Sequence, residues 1–225
     1  MLELTDCTRG ALIYKNYAAG TTPINQLGNE TNVSSWISGY PAWYIGAATG
    51  LNAPAVQGII KSRVMGQLIM PAAETYFLLA EAALKGHALS GDAATNFYNG
   101  IKASYNYLQK SGTATTSTTS TVLDAYLTAY KGANSTSYLV NYALATTAAQ
   151  RLEAIITQKY IALNFVNGFE AWQEYKRTGY PAISGTAATT TFVSLQSSTT
   201  STDRLPVRNL YPTTEYNLNP NVPLA

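Results

Sequence analysis

Residues 71–109 read PAAETYFLLAEAALKGHALSGDAATNFYNGIKASYNYLQ, and the fold is decided there. Pro71 suits a first helical position, where its missing N–H costs nothing. Tyr76, Leu79, Ala80 and Ala83 then recur at three and four, the spacing of one helix face, until Gly86 closes the run. Gly91-Asp92 opens a second helix, because an Asp side chain can accept the free N–H groups of a first turn. Ala94, Phe97, Tyr98, Ile101 and Tyr105 supply its apolar stripe. A short connection between two such helices predicts an antiparallel pair. Ala82, Ala94 and Tyr98 have the small-residue and aromatic spacing of a tetratricopeptide-type unit. One pair cannot bury its own faces, so further helices must supply the cover.

Three more helices are predicted downstream. Residues 122–131 present Leu123, Tyr126, Leu127 and Tyr130; residues 148–165 present Leu152, Ile155, Ile156, Tyr160 and Leu163. A short third runs over residues 169–177, before Gly179 and Pro181 stop it. The resulting class is mainly α. Residues 1–70 form a separate, loop-rich segment, punctuated by Thr21-Thr22-Pro23 and Ser38-Gly39-Tyr40-Pro41, and residues 71–225 form the helical region. Two polar tracts, 112–121 and 184–203, are too rich in Ser and Thr to join a core and are expected as surface loops, with a short strand over 191–195. The tail from Arg204, with Pro206, Pro212 and Pro220, is expected to lie extended across the helices.

The whole chain has 225 residues, of which 12% are charged, with 45 Ser and Thr and 17 Tyr. Its surface is therefore neutral and rich in hydroxyls. A net charge of +2 without any basic run argues against nucleic acid. No apolar stretch reaches the roughly 18 residues that a membrane span needs, and residues 1–10 lack a signal-peptide pattern. One cysteine, Cys7, and one histidine, His87, exclude an internal disulfide and a multi-ligand zinc site. Cys7 reads as an ordinary thiol, and His87, just after Gly86, as a solvated residue at a helix end. Neither a G-x-S-x-G elbow nor a Gly-rich phosphate loop occurs, so no cofactor and no catalytic residue is expected.

Two ordered sets of residues carry a family resemblance. Glu74 to Gly86 (ETYFLLAEAALKG) is the first; the second is Gln158 to Leu163 (QKYIAL), then Gly168 to Pro181 (GFEAWQEYKRTGYP), then Arg208 to Glu215 (RNLYPTTE) with Asn217 or Asn219. Together they resemble the SusD/RagB family of glycan-uptake lipoproteins, in the branch with an EAW-x-x-x-[KR]RTG-x-P signature. Tyr44-Ile45-Gly46 with Gly50 is similar to a loop pattern of that branch. The resemblance, over residues 44–221, implies a SusD-like helical fold with tetratricopeptide-type pairs and long irregular loops. It also implies an outer-membrane lipoprotein, exposed on the outer surface, that binds glycan and works with a TonB-dependent transporter of the SusC type. An N-terminal helical part and a lipid anchor would then lie outside these 225 residues, and the anchor would be the sole tie to the membrane.

Each candidate residue has two readings. Glu170 and Glu174, four apart on one helix face, could be an acid/base pair, but glycoside hydrolysis needs carboxyls on opposite sides of a sugar. Pairing with Lys176 and Arg177 in an ion network is the expected reading. Arg177, Arg208 and Glu215 are expected to brace the last helix against the tail. Trp172 and Tyr175, at helical spacing, are expected in the core. Trp36, Tyr40, Trp43 and Tyr44 crowd nine residues flanked by Gly and Pro. They either pack beneath their loop or form a platform on which the C–H faces of sugars stack. Two functions remain open: non-catalytic carbohydrate capture, and a helical-repeat adaptor binding a protein partner.

Overall fold

A computed structural model of the chain describes residues 4–13, 57–59, 61, 66–87, 90–110, 118–182, 213–219 and 221. They are mainly helical: α1 (Cys7–Ile13), α2 (Ala72–Leu84), α3 (Ala93–Gln109), α4 (Ser120–Ala133), a 3-10 turn (Tyr142–Leu144), α5 (Ala148–Leu163), α6 (Gly168–Thr178) and α7 (Thr213–Leu218). No strand occurs among the described residues.

The two helices of the opening stretch form with the predicted caps. Pro71 lies one position earlier than expected, as the N-cap, because its ψ of 145° is extended. At the far end Gly86 adopts φ 85°, and the N–H groups of Gly86 and His87 donate to Ala83 and Ala82, each at 3.0 Å. That left-handed position would strain any side chain with a Cβ. His87 is exposed there, as the sequence suggests. Asp92 caps α3 by accepting the Thr95 N–H at 2.7 Å.

The apolar stripe of α2 is turned from the expected one. Ala73, Phe77 and Ala80 are buried, with Glu74 and Glu81 beside them, while Tyr76, Leu79 and Ala83 are half-buried. The cause is Gly100 on α3: a Cβ there would lie 2.7 Å from the Phe77 ring, so the ring occupies the space a side chain would take. Phe77 also meets Phe97 edge-on, at 6.3 Å between ring centres. Position 77 opposes 100, and 73 and 104 line one pocket, so the helices run antiparallel.

Helix α4 closes on α3 through a tyrosine stack, with Tyr105 lying 3.9 Å from Tyr126 at 8° and Tyr130 next in line. Its first residues, Ser120 and Thr121, belong to the tract expected as a loop; being small and polar, they suit a first turn. The 3-10 turn lays Tyr142 on Phe97 at 5.0 Å. Helix α5 starts with a reciprocal cap between Thr147 and Gln150 and contributes Ala154, Ile155 and Ile156 to the same core.

Two further expectations change. Helix α1 lies within the segment expected to be loop-rich. The tail holds a six-residue helix rather than a fully extended run, since Pro212 and Pro220 bracket residues 213–218 instead of interrupting them. The tract 184–203 with its expected strand lies outside the described residues.

Candidate functional site

The signature segment forms α6 because Asn167 accepts the Glu170 N–H at 3.2 Å and Gly179 ends the helix at φ 75°. Glu170 and Glu174, one turn apart, therefore share a face, with Arg177 three residues beyond Glu174. That face meets a lysine from α5. Lys159 Nζ lies 2.8 Å from Glu170, 2.6 Å from Glu174 and 3.7 Å from Glu74 of α2. Arg177 grips Glu81 of α2 with both terminal nitrogens, at 2.6 and 2.7 Å, and Glu174 at 2.5 Å. Lys85 adds a third cation, 2.6 Å from Glu81. Two cations and four carboxylates thus tie α2, α5 and α6 together, with Lys85 at the rim.

The electrostatics follow from burial and pairing. Burial disfavours the Lys159 charge, yet hydrogen bonds to Glu170 and Glu174 outweigh it and hold the ammonium above its ordinary pKa. For Glu81 burial pushes up, and hydrogen bonds from Arg177 and Lys85 overcome it, so the carboxyl lies below its usual range. Glu74 is the exception: burial raises it more than Lys159 lowers it. Glu170 and Glu174 touch one ammonium from the same side, so no sugar fits between them as inverting or retaining hydrolysis requires. What this cluster does chemically is clamp.

A second buried cation stands behind the first. Arg9, 1% exposed, binds Asp6 at 2.5 Å, Ser104 at 3.3 Å and Gln158 at 3.1 Å, and lies 5.1 Å from the Tyr130 ring centre. Gln158 in turn donates to Tyr130 and to the Leu139 carbonyl, both at 3.0 Å. Burial pushes the Tyr130 hydroxyl up to about 12. Gln158 and Lys159, neighbours in sequence, thus serve two separate clusters.

Of the expected residues, the structure brings Glu170, Glu174 and Arg177 together. Arg177 reaches α2; the expected bracing by Arg208 and the Glu215 side chain lies outside the described residues. Lys176 lies over the Trp172 ring, 5.6 Å from its centre. Trp172 is half-buried, beside Phe169 at 5.9 Å, rather than in the core, because α6 turns its charged face inward. Tyr175 is half-buried too. Trp36, Tyr40, Trp43 and Tyr44 lie outside the described residues, as does the Cys7 side chain.

Sequence reasoning missed Lys159, Glu74, Glu81 and Arg9. Lys159 had a signal: it sits on the Ile155, Ile156 and Leu163 stripe, where an unpaired charge would be costly. A pocket of about 160 Å³ lies between α2, α3 and α5, lined by Leu68, Ala73, Ala103 and Val166 with Ser104 and Asn106. It falls below the 300 Å³ or so of a typical ligand site. Among the described residues no group of His, Cys, Asp and Glu could hold a metal, and no helix is long and apolar enough to cross a membrane.

A family model matches residues 50–223, the range that holds the helix pair, the buried lysine and the signature helix: SusD-like, the SusD and RagB outer membrane lipoproteins. This chain belongs to the SusD-like family. The SusD-like chain is also similar to three solved SusD homologs. One from Bacteroides fragilis has 22% identity and a TM-score of 0.49, covering 95% of this chain and 43% of that one. Another from the same species has 26% identity and a TM-score of 0.46, covering 69% and 30%. One from Bacteroides thetaiotaomicron has 26% identity and a TM-score of 0.42, covering 67% and 31%. The SusD-like chain spans less than half the length of each. No curated protein matches it.

Proposed function

We propose that this chain serves non-catalytic capture of oligosaccharide or polysaccharide at the outer surface of the outer membrane, handing glycan to a TonB-dependent transporter of the SusC type. Membership of the SusD-like family is the observation that carries this reading. It gains support from the occupied carboxylates: Glu170 and Glu174 are tied to one lysine, leaving neither free as a general acid. The neutral, hydroxyl-rich composition is compatible with a surface that meets sugars rather than charged polymers. In this reading Trp36, Tyr40, Trp43 and Tyr44 stack on the sugar, and Glu170, Trp172, Arg177, Arg208 and Glu215 hold the scaffold.

Calorimetry of the intact protein against a panel of neutral polysaccharides tests the proposal. Binding without release of reducing sugar, weakened by Trp36→Ala or Trp43→Ala, is the expected result. Silence across the panel, or sugar release abolished by Glu170→Gln, would overturn it.

A further inference from the structure

The clamp of α2, α5 and α6 holds four carboxylates, Glu74, Glu81, Glu170 and Glu174, against three cations, Lys159, Arg177 and Lys85. Among the described residues one negative charge is in excess, and the site is too dry to leave it bare: the side chains of Glu81, Glu174 and Glu74 are 8%, 7% and 9% exposed. Glu170, at 31%, has water to support its charge. Glu81 and Glu174 each have a cation within 2.6 Å. Glu74 faces Lys159 at 3.7 Å, and that ammonium is already committed to Glu170 and Glu174. From α6 it faces the negative charges of Glu170 and Glu174, and α3, the other helix packed on α2, turns its Lys102 to Asp124 of α4.

We propose that Glu74 is a proton-binding site that makes the seam between α2, α5 and α6 a pH-operated latch, closed tightest in mild acid and loosened as Glu74 ionises. With the proton on, three carboxylates balance three cations; with it off, buried like charges repel across the seam. The sign follows from linkage. Burial, and the nearby Glu170 and Glu174, raise Glu74 in the folded state. A raised folded pKa means that the folded state holds the proton more tightly, so this stabilisation is present at low pH and lost as pH rises through the folded value. Glu81, held low, behaves oppositely and fails only when pH falls below the ordinary carboxylate range.

Thermal unfolding between pH 5 and pH 8 tests it on the whole chain with Glu74→Gln and, as the contrast, Glu174→Gln. Glu74→Gln keeps the shape of the protonated acid and removes the titration. Its Tm should exceed the parent's by a few degrees at pH 8, with the gap closing as pH falls through the Glu74 midpoint, whereas Glu174→Gln should melt lower throughout. Parallel curves for Glu74→Gln, or a lower Tm at pH 8, would overturn the proposal. A carbon-13 NMR titration of the Glu74 carboxyl in the unmodified chain decides the matter even without a folded variant. A midpoint above the ordinary value of about 4.3 supports the latch, and one at or below it refutes it.

Discussion

Helix α2 presents Phe77 and Ala80 to α3 on one side and Glu74 and Glu81 to α5 and α6 on another. The first seam is made by shape, a phenylalanine ring filling the place of an absent Gly100 side chain. The second is made by charge, buried ions whose cost in dry surroundings is repaid only while every partner is present. Both join the same helix to its neighbours, yet they differ in what can undo them. A shape-matched seam responds to volume and ignores pH; a charge-matched seam responds to protons and to the loss of a single partner. One helix with both kinds of contact therefore has one side indifferent to its solution conditions and one side tuned by them.

Breaking each seam should expose the difference. Phe77→Ala removes a fully buried ring and should cost about 4–5 kcal/mol, equally at pH 5 and pH 8, by urea denaturation. Lys159→Met keeps the volume but removes the cation from Glu170 and leaves Glu174 to Arg177 alone, and should cost about 3–4 kcal/mol at pH 8. Part of that loss should return as pH falls, because without Lys159 less opposes the burial that raises Glu74, so the folded state holds its proton more tightly. Gly100→Ala forces the Phe77 ring to move and should cost about 2 kcal/mol. Adding Phe77→Leu should recover some of it, a coupling that a double-mutant cycle measures. Thr147→Ala, which removes the reciprocal cap of α5 away from both seams, should cost about 1 kcal/mol and couple to neither.

The sequence pattern reached the helices more surely than their contacts. The alanine-rich periods of residues 71–109 and the caps at Gly86, Asp92 and Gly179 are local signals, and each helix predicted from them forms. Which face of α2 turns inward was not local, since Gly100 decides it from 23 residues away. Lys159 was passed over for the same reason: its partners lie at 74, 170 and 174, and hydrophobic periodicity cannot represent a buried charge met by other charges. The motif QKYIAL marked the place without revealing that Gln158 and Lys159 serve different clusters. Trp172 was expected inside because tryptophan is large and apolar, but on α6 the inward positions belong to Glu174 and its ion partners. The tail's three prolines suggested extension, and their spacing left room for one short helix.

Arg9 lies outside the matched range of residues 50–223, yet its guanidinium is seated among Ser104, Tyr130 and Gln158 within it. The limits of the family pattern and the limits of the packed interior are therefore not the same line. A truncation cut to the family match would remove the guest and leave its host groups facing an empty polar hollow, so a piece that keeps this seat filled must include Asp6 and Arg9.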